Sequence, residues 1–296
     1  MHSHSAASTH RAPLVRVLGV SSAILVMELV VGLATNSLSL LADAAHVFAD
    51  VAGMGLSLGA IWLAGRPANV SRTFGLYRAE MLAAVLNAVL LLMLAAIILI
   101  ESWQRIVGDA GAIASGPMLG AAIIALAANL VSAGLLRTAQ RDSLNLRAAF
   151  IEVLGDALGA AAVVVAAIVI LTTGIRAADG VASGLIGLFI IPRTWGLLRD
   201  AVDVLLEAAP KGVSLDRVRE HILEAPAVID VHDLHAWTIT SGLNVVSAHV
   251  IIDDQAAAAD VLDHLCQCLA SQFDIEHSTF QLETRDRRRL EDSAHA

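Results

Sequence analysis

Charge is scarce in this sequence. Only 16% of its 296 residues are Asp, Glu, Lys or Arg, where a soluble domain carries about a quarter. With 57% hydrophobic residues and a mean hydropathy of +0.72, lipid is expected to be part of the solvent. Lysine is nearly absent. Lys211 is the only one, so positive charge is almost all arginine. The net charge of -9 offers no footing for nucleic acid or for a general anion ligand. Cysteine is limited to Cys266 and Cys268. A C-x-C pair is too close for an ordinary intrachain disulfide, which favours a reducing cytoplasmic setting. Two small residues explain the pair more simply than two soft metal ligands. There is no H-E-x-x-H and no evident nucleophile beside a base, so an enzyme is not expected.

Apolar runs, by contrast, are abundant. A spanning helix needs roughly 20 apolar residues, and six runs qualify, near 14–34, 38–64, 79–104, 116–137, 148–173 and 179–199. The first is too long for the apolar core of a signal peptide and is followed by five more, so it reads as a retained helix. Arg66, Arg72 and Arg78 flank the second loop, Arg137, Arg141 and Arg147 the fourth, and Arg193 and Arg199 close the last helix. The other loops hold only Arg105 and Arg176. The positive-inside rule then puts both termini in the cytoplasm.

Inside these runs stand ionisable residues. An Asp at the centre of a membrane costs about 2.5–3.5 kcal/mol on insertion scales, which makes it a functional hypothesis by default. "HVFAD" sets His46 and Asp50 four residues apart, on one helix face. "EVLGD" sets Glu152 and Asp156 at the same spacing in the fifth run. One pair alone is as readily a structural polar contact. Two pairs in matching context, H-V-F-A-D-V-A-G against E-V-L-G-D-A-L-G, suggest inverted repeats that meet near the midplane. One imidazole and three carboxylates make a four-coordinate set for a divalent transition ion such as Zn²⁺. Ala44, Ala45, Ala49, Gly53, Gly155 and Gly159 would let the helices come close. Asp43, one turn before His46, reads equally as an outer partner of the site or as a cap of the helix start. Glu28, Asn87 and Asn129 read as hydrogen-bonding residues between helices, and Glu80 as an ion-pair partner of Arg78.

After "LLEAAPKG" the composition becomes that of a small soluble domain. "SLDRVREHILE" is helical with Ser214 as N-cap. "VIDVHDLHAWTIT" and "LNVVSAHVIID" form a hairpin across Ser-Gly. A second helix and the strand "HSTFQLE" follow. The order α-β-β-α-β predicts an open-faced α+β sandwich. The divisions are a cytoplasmic tail over 1–13, a six-helix transmembrane domain over 14–205, the soluble domain over 206–285 and a polar tail over 286–296. Unaided, the histidines of "VHDLH" and "SAHV" on neighbouring strands are more often structural than ligands. His2, His4 and His10 fit a short disordered start better than a metal-collecting tail.

Taken together, "NSLSLLADAAHVFADVAG", "TFGLYRAEMLAAVLNA", "AFIEVLGDALGA", "LLEAAPKGV", "VHDLHAWTITSG", "SAHV" and "HSTFQLE" resemble the cation diffusion facilitator transporters, zinc-transporting branch. The resemblance runs in order over about 14–285. It implies six transmembrane helices, a metallochaperone-like cytoplasmic domain, a homodimer, and export of a divalent metal in exchange for protons. His46, Asp50 and Asp156 fall on transport-site positions, and His232, His249 and Glu283 on cytoplasmic metal positions, with His277 an additional or bridging ligand. The zinc branch has a second His where this chain has Glu152, which implies a broader metal range that includes Mn²⁺, Co²⁺ or Cd²⁺. No family loop site is evident in "GRPANVSRTFG". His235, Asp233 and Trp237 fit packing or a dimer interface. A bacterial-type inner membrane is the expected location. A purely metal-sensing membrane protein is the competing expectation.

Overall fold

The computed structural model describes residues 11–108, 111–139, 144–253, 257–275 and 277–288. The N-terminal histidines and the end of the polar tail beyond 288 lie outside the described residues. Six long helices come first: α1 (Arg11–Thr35), α2 (Leu38–Ala64), α3 (Ala79–Val107), α4 (Ser115–Ala139), α5 (Leu144–Thr173) and α6 (Ala177–Leu205). Then follow α7 (Leu215–Leu223), β1 (Val228–Thr240), β2 (Leu243–Ile252), α8 (Ala258–Phe273), β3 (His277–Glu283) and the short α9 (Arg285–Arg288). The chain divides into two compact units. One takes the chain up to Leu58 together with Leu86–Leu198, and the other takes Gly59–Val85 and everything from Arg199 onward.

Among the described residues, five helices are long and apolar enough to cross a membrane: α1, α3, α4, α5 and α6. The helix outside that set is α2, which carries Asp43, His46 and Asp50. The outward face of α3 shows what solvent it was built for. Leu82, Leu86, Leu90, Met93, Ile97 and Ile100 recur every three to four residues and are all more than half exposed. Such a stripe is stable against lipid and aggregates in water. The inward faces are small. Ala42, Ala49, Ala95, Ala121, Ala122 and Ala167 are buried together with Leu40 and Val163. Between helices in lipid, close backbone approach replaces the hydrophobic effect as the source of adhesion.

The second unit holds the α-β-β-α-β order that the sequence predicts. Its three-stranded sheet has the order β1-β2-β3, with β1 and β2 antiparallel and β2 and β3 parallel. Val218 and Ile222 of α7 and Leu265 and Leu269 of α8 are fully buried against Val231 and Val246 of the sheet. Ser214 is the N-cap of α7, its hydroxyl accepting from the Arg217 amide at 3.4 Å. Glu80 does not pair with Arg78. Its carboxylate accepts from the hydroxyls of Thr240 and Ser241, and Arg78 donates to Glu207 at 2.6 Å.

Candidate metal centres

Helical spacing carries His46 and Asp50 to one side of α2, and α5 brings Asp156 to them. His46 Nε2 lies 3.8 Å from Asp50 Oδ2 and 3.5 Å from Asp156 Oδ1. One ligand atom from each residue falls within 4.8 Å of the others. His46 and Asp156 are buried, and Asp50 is partly so. Asp156 Oδ1 has no hydrogen-bond donor among the described residues. A carboxylate oxygen kept dry and undonated beside an imidazole is poorly placed for stability and well placed to accept a cation. Two cavities reach the cluster. One of about 230 Å³ is lined by Asp50, Glu152 and Asp156, and one of about 160 Å³ by Asp43 and His46.

Glu152 is brought to the same region but not into the three-residue group. Its Oε1 lies 3.0 Å from the Arg193 guanidinium of α6, which also stands 3.7 Å from Asp50 Oδ1. Arg193 thus faces the centre; as a sequence feature it merely ended a helix. Asp43 is buried one turn before His46, beside buried Glu28 of α1. A Cβ on Gly159 would lie 2.7 Å from Asp43 Oδ1, so that glycine is what lets α5 pass over the carboxylate. Gly53 makes the same kind of room for the Asn87 amide.

Asp43 does not cap α2. That role belongs to Ser37, whose hydroxyl accepts from the Leu40 amide at 3.3 Å, and to Asp179 of α6, which the sequence does not single out. Fully buried Asp179 accepts from the amides of Leu38 and Ser39 at 2.8 and 3.1 Å. It also accepts from the hydroxyls of Ser37 and Ser39 at 2.7 and 2.6 Å and pairs with Arg105 at 3.0 Å. Arg105 in turn donates to the Asn36 carbonyl at 2.7 Å. A carboxylate at a helix N-terminus is favoured by the unpaired amides and the helix dipole. Here it ties the start of α2, two turns before His46, to α3 and α6. The available signal was an Asp in an apolar run with Ser-rich "NSLS" elsewhere, which no local spacing connects.

In the second unit, antiparallel register sets His232 directly opposite His249. Their rings meet edge to face with centroids 5.0 Å apart. Parallel β3 delivers Glu283 beside them, 3.3 Å from His232 Nε2 and 3.1 Å from His249 Nδ1. Among the described residues, these three form the other group whose ligand atoms lie within 4.8 Å. Asp233 has φ +50° at a register shift between His232 and His235. The bulge re-aims its side chain, so Asp233 lies 3.8 Å from His249 Nε2 and 2.9 Å from His235 Nε2. His277 is not brought to this group within the chain. It begins β3, at the end opposite Glu283, and its ring meets Phe74 at 5.8 Å. Cys266 is exposed and its sulfur lies 3.3 Å from the Ser278 hydroxyl. Burial pushes the Cys268 thiol pKa up, which keeps it less reactive at neutral pH.

Residues 14–206 match the family described as the cation efflux transmembrane domain, and residues 210–285 the cytoplasmic domain of cation efflux proteins. The metal cation efflux system protein CzcD of Cupriavidus metallidurans is 41% identical over 283 residues, covering 95% of this chain and 89% of that protein. A cadmium, cobalt and zinc/H(+)-K(+) antiporter of Bacillus subtilis is 31% identical over 288 residues, covering 96% and 92%. Among solved structures, the metal-bound C-terminal domain of the CzcD transporter from Cuprividus metallidurans is 43% identical. It covers 24% of this chain and 99% of that one, with a TM-score of 0.23.

Proposed function

Since the chain belongs to the cation diffusion facilitator family of multi-pass membrane transporters, we propose that it exports divalent transition-metal ions, Zn²⁺ foremost, in exchange for protons. The observation that carries this reading is the meeting of His46, Asp50 and Asp156 from two helices, buried among apolar segments. An imidazole and two carboxylates bind a metal ion only when deprotonated, so metal and protons compete for the same atoms. A site that alternates between two sides of a membrane then exchanges one for the other. Glu152 belongs to this site, and with it a metal range reaching Cd²⁺, Co²⁺ and Mn²⁺. The relative named as a cadmium, cobalt and zinc/H(+)-K(+) antiporter supports the Cd²⁺ and Co²⁺ part of that range and the exchange for protons. The proposed arrangement has six spans, α2 included, with both termini in the cytoplasm of a bacterial inner membrane, and a homodimer joined through the cytoplasmic domains.

Reconstituted vesicles test this reading. Zn²⁺ added outside should enter, and a dye in the lumen should report alkalinisation as protons leave. A panel of Cd²⁺, Co²⁺ and Mn²⁺ in competition should give inhibition by each. Zn²⁺ movement with no pH change would make the protein a uniporter. Absence of any flux from well-folded protein would return the metal-sensing reading.

His232, His249 and Glu283 are proposed as a second, regulatory Zn²⁺ site, with His277 left to bridge between protomers. The domain has its own buried core, so residues 206–285 should fold alone. Excess Zn²⁺ should raise its unfolding temperature, because an ion that binds only the folded form stabilises by about 2.7 kcal/mol at a hundred times its Kd. Replacing His249 and Glu283 together with Ala should remove most of that gain. An equal Zn²⁺-induced shift in the double variant would remove the site.

A further inference from the structure

We infer that Arg193 is a built-in cation of the transport centre, anchored by Glu152, which sets the charge a metal ion meets there and competes with it for Asp50. The inference rests on the transport reading above. Arg193 Nη2 is 3.0 Å from Glu152 Oε1 and 3.7 Å from Asp50 Oδ1. The first contact is a close ion pair and the second a looser one. The guanidinium therefore belongs to Glu152 and leans on Asp50.

Charge accounting gives this geometry a purpose. Ionised Asp50, Glu152 and Asp156 with neutral His46 sum to three negative charges. A dication would leave one uncompensated beside buried Asp156 and partly buried Asp50. Arg193 cannot lose its proton, and with it the centre sums to two negative charges, matched to a dication. The converse holds as well. A guanidinium in an apolar helix needs a carboxylate. Were residue 152 a neutral donor, Arg193 would face Asp50 alone and mask a ligand. Glu152 and Arg193 thus work as one unit, and the metal withdraws Asp50 from the weaker of the two contacts. Glu152 acts in the site as a positioning residue, and the coordination place a nitrogen donor would fill there is left for water. That geometry imposes less on the ion than four fixed side chains do.

The test is Zn²⁺ binding by calorimetry to the detergent-solubilised full chain, in a His249→Ala/Glu283→Ala background so that only the transport centre is read. Arg193→Gln should bind about tenfold tighter or more, since a neighbouring positive charge is gone and Asp50 is released. In vesicles the same variant should show a lower KM and slower turnover, because release becomes harder. Glu152→Gln should bind about tenfold more weakly, as the guanidinium turns to Asp50. With the guanidinium gone there is nothing for Glu152 to hold, so Glu152→Gln/Arg193→Gln should stay near the tighter affinity of Arg193→Gln. A double variant at the product of the two single effects, near wild-type affinity, would overturn the inference, because Glu152 would then act independently of Arg193. So would an unchanged affinity in Glu152→Gln, which decides the matter even where Arg193→Gln fails to purify as a monodisperse protein. Asp156→Ala run alongside separates the failures. An inactive Asp156→Ala without Glu152–Arg193 coupling removes this inference and leaves the transport centre, whereas an active one removes His46, Asp50 and Asp156 as the transport centre on which the inference rests.

Discussion

Asp156→Ala should reduce Zn²⁺ flux in reconstituted vesicles by about a hundredfold or more while leaving the protein at least as stable as wild type. The two halves of this expectation have one cause. Asp156 is 5% exposed, and among the described residues its Oδ1 has no hydrogen-bond donor, with the His46 imidazole 3.5 Å away. A carboxylate in that position contributes little to holding helices together and costs desolvation. Removing it relieves the fold. The metal loses one of three close ligand atoms and a full negative charge. Truncating one partner of a buried charged contact costs binding on the order of 2–5 kcal/mol, roughly one and a half to three and a half decades in affinity. Thermal unfolding in detergent and flux in vesicles should be measured on the same preparation. Wild-type flux from a monodisperse Asp156→Ala protein would show that the cluster is structural. A large drop in unfolding temperature would show that Asp156 holds the helices and that lost flux says nothing about metal. Asp50→Ala should also lose flux, but it additionally releases the Arg193 guanidinium, so its effect mixes ligand loss with a change of charge balance.

The opposite pattern is expected at Asp179. Asp179→Ala should lower the unfolding temperature of the detergent-solubilised protein by roughly 10 °C, taking about 3–5 kcal/mol for a broken buried ion pair and 2–4 °C per kcal/mol for a domain of this size. The substitution strands several groups at once. The Leu38 and Ser39 amides lose their acceptor, the Ser37 and Ser39 hydroxyls lose theirs, and the Arg105 guanidinium loses its carboxylate. Each orphaned buried donor adds a desolvation penalty of its own. Ser39→Ala, which removes one hydroxyl donor and leaves the ion pair, should cost only about 1 kcal/mol. Flux should fall in Asp179→Ala through poorer placement of α2, with metal affinity less affected than in Asp156→Ala. An unfolding temperature within a degree or two of wild type would mean that the start of α2 is held by other contacts.

The positive-inside rule rests on arginines, and two of them serve other ends. Arg105 and Arg193 are counted by the positive-inside rule as loop or helix-end charges. In the structure both are engaged inside the helical unit, with Asp179 and with Glu152. Arg66, Arg72, Arg78, Arg137, Arg141, Arg147 and Arg199, set against Arg176, are the charges on which the expected orientation rests.

Local periodicity belongs to the sequence. A spacing of four in an apolar run puts His46 with Asp50 and Glu152 with Asp156 on single helix faces whatever the neighbours are. Alternation and a Ser-Gly turn likewise lead to the β1–β2 hairpin, in which His232 meets His249. Those features follow from the chain's own geometry, which is fixed within a few residues. Partner choice belongs to the tertiary structure. Whether Glu152 turns to His46, Asp50 and Asp156 or to Arg193 depends on the rotation of α5 against α6. Whether Asp179 caps its own helix or the start of α2 depends on how α6 packs, and whether His277 joins Glu283 depends on the length of β3 between them. Each choice is made by contacts between segments far apart in the chain, where close packing of small residues and the need to satisfy buried charge decide the outcome.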